Sequence, residues 1–375
     1  MTSFWHQSAA ERTLRQAVSA GRLSRSLLFA GPEGVGKWAA ALWVARALLC
    51  RASNDGEPCG SCRDCARVTG LAHPDLHILL PVPGKPREKD SESDESDRVK
   101  SSAAAEFIEK FMEAKRADPF GVVKSERKPT LKLADIRELI GELNKTAVEG
   151  GAKVVIIHSA EQTANDDCQS VLLKTIEEPP PGAHFILTSA APERLLPTIH
   201  SRCQTVRFVP VAPEVIAERL TAEHGVEPAD AEIISRLSGG GWGNALRLAD
   251  EDNQKWRRLM IEFWDGAFRF PPHQLLAQID PTFRQSKKGA GFDLMMQAYD
   301  VWAWCLWRDC RAVAAGGQPS GAPLADLESA WACWRILQTG RASLYVNVID
   351  RLAVAGTFLA MRRRLRLSRP IHPLT

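Results

Sequence analysis

A glycine-rich loop between two apolar segments constrains this chain more than any other feature. Residues 31–38 read Gly-Pro-Glu-Gly-Val-Gly-Lys-Trp and match the phosphate-loop pattern G-x-x-x-x-G-K-[ST] up to its last position. The segment before the loop, 26–30, predicts a buried strand, and the segment after it, 39–49, predicts a helix. This order is typical of an α/β domain of nucleotide-binding ancestry. The candidate nucleotide-binding residues are Gly31, Gly34, Gly36 and Lys37.

The residue after the loop lysine departs from the pattern, because it is Trp38. A Ser or Thr hydroxyl at this position ligates the magnesium ion that bridges the terminal phosphates of a nucleotide. An indole is bulky, and its N–H group can only donate a hydrogen bond. The loop therefore predicts a site that has lost part of its chemistry, and it leaves open whether a nucleotide still binds there.

A second departure lies at the end of the predicted buried strand 153–157. In a nucleotide hydrolase of this layout, such a strand ends in Asp-Glu, where the Asp orients magnesium and the Glu activates water. Here His158 and Ser159 follow the strand, and neither can supply a carboxylate. This loss is independent of Trp38. Glu161 lies two residues beyond Ser159, and we do not assign it the role of a catalytic base.

Four closely spaced cysteines follow the first predicted helix of the α/β domain. They are Cys50, Cys59, Cys62 and Cys65, and the last three form a C-x-x-C-x-x-C pattern. Four thiolates at such spacing suit a structural zinc site with a closed tetrahedral shell. The alternatives are an iron–sulfur cluster, whose usual spacings match less well, and four unrelated free thiols.

The overall composition indicates a soluble globular protein of more than one domain. The chain has 375 residues, of which 45% are hydrophobic and 25% are charged. The net charge of +3 is too small to indicate nucleic-acid binding on its own. Apolar runs long enough to cross a membrane are absent, and residues 1–22 lack a signal-peptide core, so we expect a cytoplasmic protein.

Residues 82–129 differ in character from the rest of the α/β region. Their first part, 85–100, is rich in serine and in charged residues, which predicts a solvated and partly disordered insertion. We expect a helix over 107–117 inside it, and we assign the insertion no function.

Two longer stretches carry a resemblance to a known family. Residues 172–180 read Leu-Leu-Lys-Thr-Ile-Glu-Glu-Pro-Pro, and residues 191–203 begin Ala-Pro-Glu-Arg-Leu-Leu-Pro-Thr-Ile and end in Ser-Arg-Cys. Together with the four-cysteine module, these stretches resemble the clamp-loader subunits of bacterial DNA polymerase III. The resemblance extends to about residue 250, and the remainder is similar in helical character only.

The resemblance implies a domain organisation of the AAA+ type. A RecA-like domain, in which helices flank a parallel sheet, would span 1–208 and carry the zinc module at 50–65. A small helical lid would span 209–252, and an all-α collar that joins five subunits in a ring would span 253–375. The implied partners are gamma/tau and delta subunits, a sliding clamp and, through the assembled complex, primer–template DNA, with no membrane.

Within this family one subunit type has lost ATP hydrolysis and acts as a rigid stator. Trp38, His158 and Ser159 place the chain with that type, and Gly243 stands where the hydrolysing subunits carry a phosphate-sensing arginine. Arg202, in Ser-Arg-Cys, matches an arginine that projects toward the ATP of the neighbouring subunit. The resemblance thus implies a holoenzyme component without ATPase or polymerase activity of its own, which donates an arginine finger.

Two alternative functions stay open at this point. One is a gamma/tau-like motor that hydrolyses ATP in spite of its unusual motifs, and the other is an AAA+-derived zinc adaptor unrelated to replication. The sequence also leaves open which of the eleven tryptophans belong to a helical core and which to an interface.

Overall fold

The computed structural model describes residues 4–83, 94–123, 129–149, 151–163, 166–269, 292–344 and 350–367, together with 273, 277 and 279. The chain forms two compact units, residues 1–247 and 248–375. Among the described residues, none of the helices has the length and apolar character needed to cross a membrane.

A parallel five-stranded sheet with the order β2-β5-β6-β1-β7 forms the centre of the first unit. Its strands are β1 (Ser26–Ala30), β2 (Leu76–Leu79), β5 (Lys153–Ile157), β6 (Ala183–Ser189) and β7 (Gln204–Arg207), while β3 (Val82–Pro83) and β4 (Pro129–Thr130) form a separate antiparallel pair. Strands β1 and β5 are buried along their whole length, as expected for a parallel sheet covered on both faces. The register places Leu28 beside Leu187 and Val155 beside Phe185.

Helices connect and cover these strands. They are α1 (Ser8–Ser19), α2 (Lys37–Leu49), α3 (Arg63–Thr69), α4 (Asp94–Ala117), α5 (Leu133–Leu143), α6 (Asp166–Glu177) and α7 (Pro197–Arg202). Helix α2 is buried on nearly all sides, which explains why its sequence is apolar without a clear polar face. Because the strands are parallel, the carboxyl ends of β1 and β5 lie at one edge of the sheet. That edge holds the glycine loop and His158.

Three short helices complete the first unit: α8 (Pro213–His224), α9 (Pro228–Leu237) and α10 (Trp242–Ala249). Helices α8 and α9 pack on each other, and α8 ends at Gly225 in the left-handed conformation. The Arg219 guanidinium lies 4.5 Å from the ring centroid of Trp5 and 4.3 Å from that of Trp242. These cation–π contacts tie α8 to the N-terminal segment and to α10.

In the part of the second unit that the structure describes, the long elements are helices. They are α11 (Glu251–Ala267), α12 (Phe292–Ala314), α13 (Leu327–Ser343) and α14 (Asp350–Leu367). Their shared core includes Trp264, Trp302 and Phe358, whose rings meet edge to face. The buried Asp309 carboxylate accepts hydrogen bonds from Trp264 Nε1 at 2.8 Å and from the Ala322 N–H at 2.8 Å. This carboxylate fixes the segment that precedes α13.

The tryptophans divide into buried and exposed groups. Trp242, Trp264 and Trp302 are fully buried, whereas Trp331 is 59% exposed and Trp334 is 41% exposed. The last two rings stack on each other with centroids 4.8 Å apart. Trp242, Trp264 and Trp302 therefore belong to the core, and the assignment of Trp331 and Trp334 to an interface stays a prediction.

The expected fold class is confirmed: helices flank a parallel sheet, and a helical region follows it. The expected boundaries at 208/209 and 252/253 stay predictions. The final helix is Asp350–Leu367, and residues 345–349 lie outside the described part of the chain.

The insertion differs from the expectation of a solvated segment. Its helix, α4, is Asp94–Ala117 and is longer than the expected 107–117. Phe111 and Phe120 are only 3% and 4% exposed, because they pack against the glycine loop and its neighbours. Residues 84–93 and 124–128 of the insertion lie outside the described residues.

Candidate functional site

The glycine loop joins β1 to α2 as the sequence predicts, and α2 begins at Lys37. Gly34 and Gly36 have φ values of 79° and 103°, which side-chain-bearing residues rarely adopt. A Cβ on Gly36 would also come within 2.7 Å of the Phe120 ring. Glycine is required here both by the backbone conformation and by a close neighbour.

The loop lysine is turned toward its own loop. Lys37 Nζ donates hydrogen bonds to the carbonyl oxygens of Gly31 at 2.5 Å and Pro32 at 2.6 Å. Burial lowers the pKa of Lys37 to about 8, against the opposing attraction of Glu161 and Glu33. In this arrangement the ammonium group stabilises loop carbonyls, which occupy two of its three donors.

Trp38 fills the place where a magnesium-ligating hydroxyl would lie. Its side chain is 3% exposed, and its ring meets the rings of Phe111 and His158 edge to face, with centroids 5.3 Å and 5.5 Å away. Phe111 and His158 are themselves 5.1 Å apart. The three rings form a cluster, which we call the aromatic cluster, beside the glycine loop.

His158 follows β5. A nucleotide hydrolase of this layout would carry a carboxylate at this position, and His158 cannot supply one. Its Nδ1 lies 3.3 Å from Thr188 Oγ1. Burial holds the pKa of His158 well below its usual value, and the nearby ammonium groups of Lys115 and Lys37 lower it further. A neutral imidazole packed in an aromatic cluster provides neither a magnesium ligand of carboxylate type nor a charged group.

The carboxylate of Glu161, two residues beyond Ser159, is engaged in a structural contact. Glu161 is 7% exposed, and its Oε1 accepts a hydrogen bond from the Ala190 N–H at 3.0 Å. The contact links the segment after β5 to the end of β6. This placement agrees with leaving Glu161 out of the candidate catalytic residues.

Gly243, where the family resemblance implies the loss of an arginine, touches the glycine loop through its backbone. Its N–H donates to the Gly34 carbonyl at 3.1 Å, and Asn244 Nδ2 donates to the Glu33 carbonyl at 3.2 Å. A Cβ on Gly243 would lie 1.8 Å from the carbonyl oxygen of Phe120. The start of α10 therefore packs directly on the loop and on the insertion.

Arg202 is the last residue of α7, and its contacts are with residues other than the groups described above. Its Nε forms an ion pair with the Glu177 carboxylate, and its Nη1 lies 3.3 Å from the Thr198 carbonyl and 3.2 Å from Ser201 Oγ. The side chain is 38% exposed. None of these partners belongs to the glycine loop, so the structure does not bring Arg202 to the chain's own phosphate-loop residues.

The four predicted cysteines come together. Cys50 Sγ lies 3.6 Å from Cys59 Sγ and 3.8 Å from Cys62 Sγ, and Cys59 Sγ lies 4.0 Å from Cys65 Sγ. All four sulfurs lie within 4.8 Å of one another. Tetrahedral zinc with Zn–S bonds of about 2.3 Å places its sulfur ligands about 3.8 Å apart, so the cluster fits zinc.

Backbone N–H groups prepare these sulfurs for a metal. The N–H groups of Cys59, Cys62 and Cys65 donate to the sulfurs of Cys50, Cys59 and Cys62 at 3.5, 3.3 and 3.4 Å. Hydrogen bonds from the backbone of Ser61 and Cys62 lower the pKa of the Cys59 thiol to about 6. A thiolate, which is the form that binds zinc, is thus favoured at Cys59.

Sequence reasoning missed the contribution of the insertion to this site. Phe111, Lys115 and Phe120 line the small cavity beside the loop together with Trp38 and His158. A signal was present, because Phe107, Phe111 and Phe120 are the aromatic residues of a segment otherwise dominated by charged and small side chains. Aromatic residues in such a segment need a buried surface to pack on.

Comparison with known proteins relates the chain to replication subunits. A profile of the family described as "DNA polymerase III, delta subunit" matches residues 6–212. DNA polymerase III subunit delta' of Bacillus subtilis is 32% identical over 293 residues, 77% of this chain and 74% of the relative. Subunit delta' of Escherichia coli is 30% identical over 66% of this chain, and the match spans 60% of that relative.

More distant similarities extend to other subunits. DNA polymerase III subunit tau of Salmonella typhimurium is 26% identical over 64% of this chain and 30% of the relative. Among solved structures, a DNA polymerase III gamma subunit-related protein of Thermotoga maritima aligns with a TM-score of 0.45 and 14% identity, over 96% of this chain and 100% of that chain.

Proposed function

Because the chain belongs to the family of DNA polymerase III delta-prime subunits, we propose that it serves in the clamp loader as a non-hydrolysing stator. In this role it helps to load the sliding clamp onto primed DNA in the cytoplasm, in a ring with gamma/tau and delta subunits. The observation that carries the proposal is that Trp38, His158 and Gly243 all lack the groups that a hydrolysing site needs, while Arg202 is retained at an exposed position.

Arg202 would act on the neighbouring subunit's ATP. A guanidinium is always charged, and it can stabilise the charge that develops on the γ-phosphoryl oxygens during transfer. A finger supplied by a second subunit makes hydrolysis depend on correct assembly. The exposure of Arg202 at the end of α7 supports this role, since a buried side chain could not reach another subunit.

The cysteine cluster would hold one structural zinc ion through Cys50, Cys59, Cys62 and Cys65. Four thiolates complete the tetrahedral shell and leave no open position for substrate, so the ion would stabilise the fold only. Around the cluster, Arg51 Nε lies 3.3 Å from Asp64 Oδ2, and the buried His73 lies 3.6 Å from Asp64 Oδ1. These contacts support a rigid module between α2 and β2.

Reconstitution of the loader tests the proposed role of Arg202. A loader with Arg202→Ala in this chain is compared with the wild type for clamp-stimulated ATP hydrolysis and for clamp loading. We expect turnover at the affected interface to fall by on the order of 10³, as for other arginine fingers. Arg12→Ala is the matched control, because Arg12 is an exposed arginine of α1.

Assembly is measured in parallel by size-exclusion chromatography. If the Arg202→Ala loader assembles and retains wild-type ATP turnover and clamp loading, the proposed finger is wrong. If the wild-type chain does not assemble with gamma/tau and delta subunits of the same cell, the zinc-adaptor alternative is favoured.

A further inference from the structure

The insertion between β3 and β4 returns to the glycine loop through its described second half. Helix α4 carries Phe111 and Lys115 into the interior, where they are 3% and 5% exposed. The turn that follows places Phe120 against Gly36, and this side chain is 4% exposed. The sequence separation is more than seventy residues, so these contacts are tertiary.

Three of the positions that have lost a motor group contact this segment. The Trp38 and His158 rings both pack on Phe111, and they also contact each other. Gly243 makes room for the carbonyl oxygen of Phe120, which lies 1.8 Å from where a Cβ would stand. The three departures from the motor pattern thus form a single surface that receives the insertion.

Lys115 fixes the segment in this position. Its Nζ donates to the carbonyl oxygens of Gly121 at 2.6 Å and Pro119 at 3.4 Å. The same ammonium lies 5.4 Å from the centroid of the Trp38 ring and 5.5 Å from that of Phe111. A cation therefore lies on the indole that replaces the magnesium-ligating hydroxyl, and it is supplied by the chain itself.

The turn after α4 is closed by its own hydrogen bonds. The Phe120 N–H donates to Asp118 Oδ1 at 2.9 Å, and the Gly121 N–H donates to the Asp118 carbonyl at 3.0 Å. These bonds, together with the two from Lys115, satisfy polar groups that burial would otherwise leave unpaired. The turn can therefore be buried without leaving these polar groups unpaired.

Little space remains beside the glycine loop. The cavity lined by Gly34, Gly36, Lys37, Trp38, Phe111 and Phe120 has a volume of about 40 Å³. Sites for ligands of nucleotide size are roughly 300–1,000 Å³. A nucleotide could bind beside the glycine loop only if the segment with Phe111 and Phe120 moved out of the site.

Helix α10, which belongs to the predicted lid, is held against the glycine loop by its own backbone and by Phe120. The backbone of α10 binds the loop through Gly243 and Asn244, and a Cβ on Gly241 would lie 2.1 Å from the Glu33 carbonyl oxygen. Phe120 touches both the loop, at Gly36, and the lid, at Gly243. One side of the segment therefore contacts the sheet domain, and the other contacts the lid.

We infer that residues 111–123 are a built-in occupant of the phosphate-loop site, which excludes nucleotide and holds α10 against the loop in one fixed arrangement. Residues 111–123 thus connect the sheet domain to the lid helix α10 without a bound nucleotide. The inference rests on the proposed non-hydrolysing role. It does not depend on the role of Arg202 at a neighbouring subunit.

The first test is nucleotide binding by the purified full chain. MgATP and MgADP are titrated into the wild-type protein by calorimetry, and the melting temperature is measured with and without each nucleotide. We expect neither binding heat nor a shift in melting temperature. Saturable binding of either nucleotide would overturn the inference.

The second test asks whether the segment, the loop and the lid open together. Hydrogen–deuterium exchange is compared between wild type and Phe120→Ala, which removes the ring that contacts Gly36 but keeps the backbone carbonyl that contacts Gly243. We expect exchange in 31–37, 111–123 and 242–249 to rise together, by roughly 100-fold, as the loss of a buried phenylalanine implies. Faster exchange confined to 111–123 would show that the segment is not the bridge.

Gly243→Ala is a second variant, because its Cβ would displace the Phe120 carbonyl. Gly141→Ala is its matched control, since a Cβ at that helical glycine meets no atom within 4 Å. We expect faster exchange in 111–123 for Gly243→Ala only. Unchanged exchange in both variants would overturn the inference, while loss of ATP hydrolysis by the loader with Arg202→Ala would not affect it.

Discussion

The guanidinium of Arg202 forms an ion pair with the carboxylate of Glu177, which is the first glutamate of the Glu-Glu-Pro-Pro stretch. Both side chains are about one third exposed, at 38% and 35%. The contact explains why the two stretches that carry the family resemblance lie together in space. In the proposed finger role, Arg202 would exchange the Glu177 carboxylate for a neighbouring subunit's phosphate.

That exchange should cost little. Exposed ion pairs contribute about 0–1 kcal/mol to stability, so we expect Glu177→Gln to lower the free energy of unfolding by less than about 1 kcal/mol. For the same reason we expect ATP turnover of the reconstituted loader to stay within about threefold of wild type. Glu178→Gln is the control, because this exposed neighbour is not the partner of Arg202. A loss as large as that of Arg202→Ala would show instead that Glu177 positions the finger.

The state of the glycine loop predicts how the purified chain treats ATP. We expect no magnesium-dependent turnover, because a hydroxyl at position 38 and a carboxylate at position 158 are both missing. Turnover that Lys37→Ala abolishes would favour the gamma/tau-like motor. The assay is phosphate release, with Lys132→Ala as an exposed control.

Lys37 should instead contribute to stability. Its substitution by Ala leaves the Gly31 and Pro32 carbonyls without their donor, so we expect a loss of about 1–3 kcal/mol in the free energy of unfolding. Urea denaturation of the full chain measures this, with Lys132→Ala again as the control. A stability equal to wild type would contradict the orientation of Lys37 toward its own loop.

Buried lysines predict how stability depends on pH. Burial lowers the pKa of Lys115 to about 8, from an ordinary value of 10.5. Between these values the unfolded chain binds more protons at this group than the folded chain does, so its contribution to stability rises with pH from about 8 to about 10.5. We expect Lys115→Met to show a smaller rise over this range than wild type.

Lys110 provides the control for that measurement, since it is an exposed lysine on the same helix. We expect Lys110→Met to keep the wild-type pH slope in urea denaturation. Equal slopes for both variants would mean that burial does not lower the pKa of Lys115.

The cysteine cluster predicts a metal content. We expect one zinc ion for each wild-type chain and none for Cys59→Ser, because a hydroxyl is a poor ligand and the tetrahedral shell would be broken. We also expect the variant to melt at a lower temperature, and chelation of the wild type to have the same effect. Zinc is measured by elemental analysis. Cys310→Ser, outside the cluster, should keep its zinc, and an iron content would favour the iron–sulfur alternative.

Local pattern was sufficient for much of the fold. The apolar runs at 26–30 and 153–157 are the buried strands β1 and β5, and the helix expected over 39–49 is α2, which begins at Lys37. Such runs and periods reflect the faces that an element buries, and those faces are encoded within a few neighbouring residues. The close spacing of Cys59, Cys62 and Cys65 likewise predicted that these sulfurs would meet.

The candidate site was predictable only in part. Sequence showed that Trp38 and His158 could not serve a magnesium ion, because this depends on side-chain chemistry alone. It did not show that Phe111 packs against both of them. The charged composition of residues 85–100 predicted that the insertion would be solvated. That composition gives no information about the second half of the insertion, which is buried at Phe111 and Phe120.

Residue type at short spacing is enough to establish a phosphate loop without a magnesium ligand, a four-cysteine module and a Ser-Arg-Cys arginine. What the altered loop contacts depends on the tertiary structure. Lys37 binds its own loop, Phe111 and Phe120 fill the site, and Gly243 admits the Phe120 carbonyl. These contacts join segments far apart in the chain, and their packing depends on shape and space that local pattern does not encode.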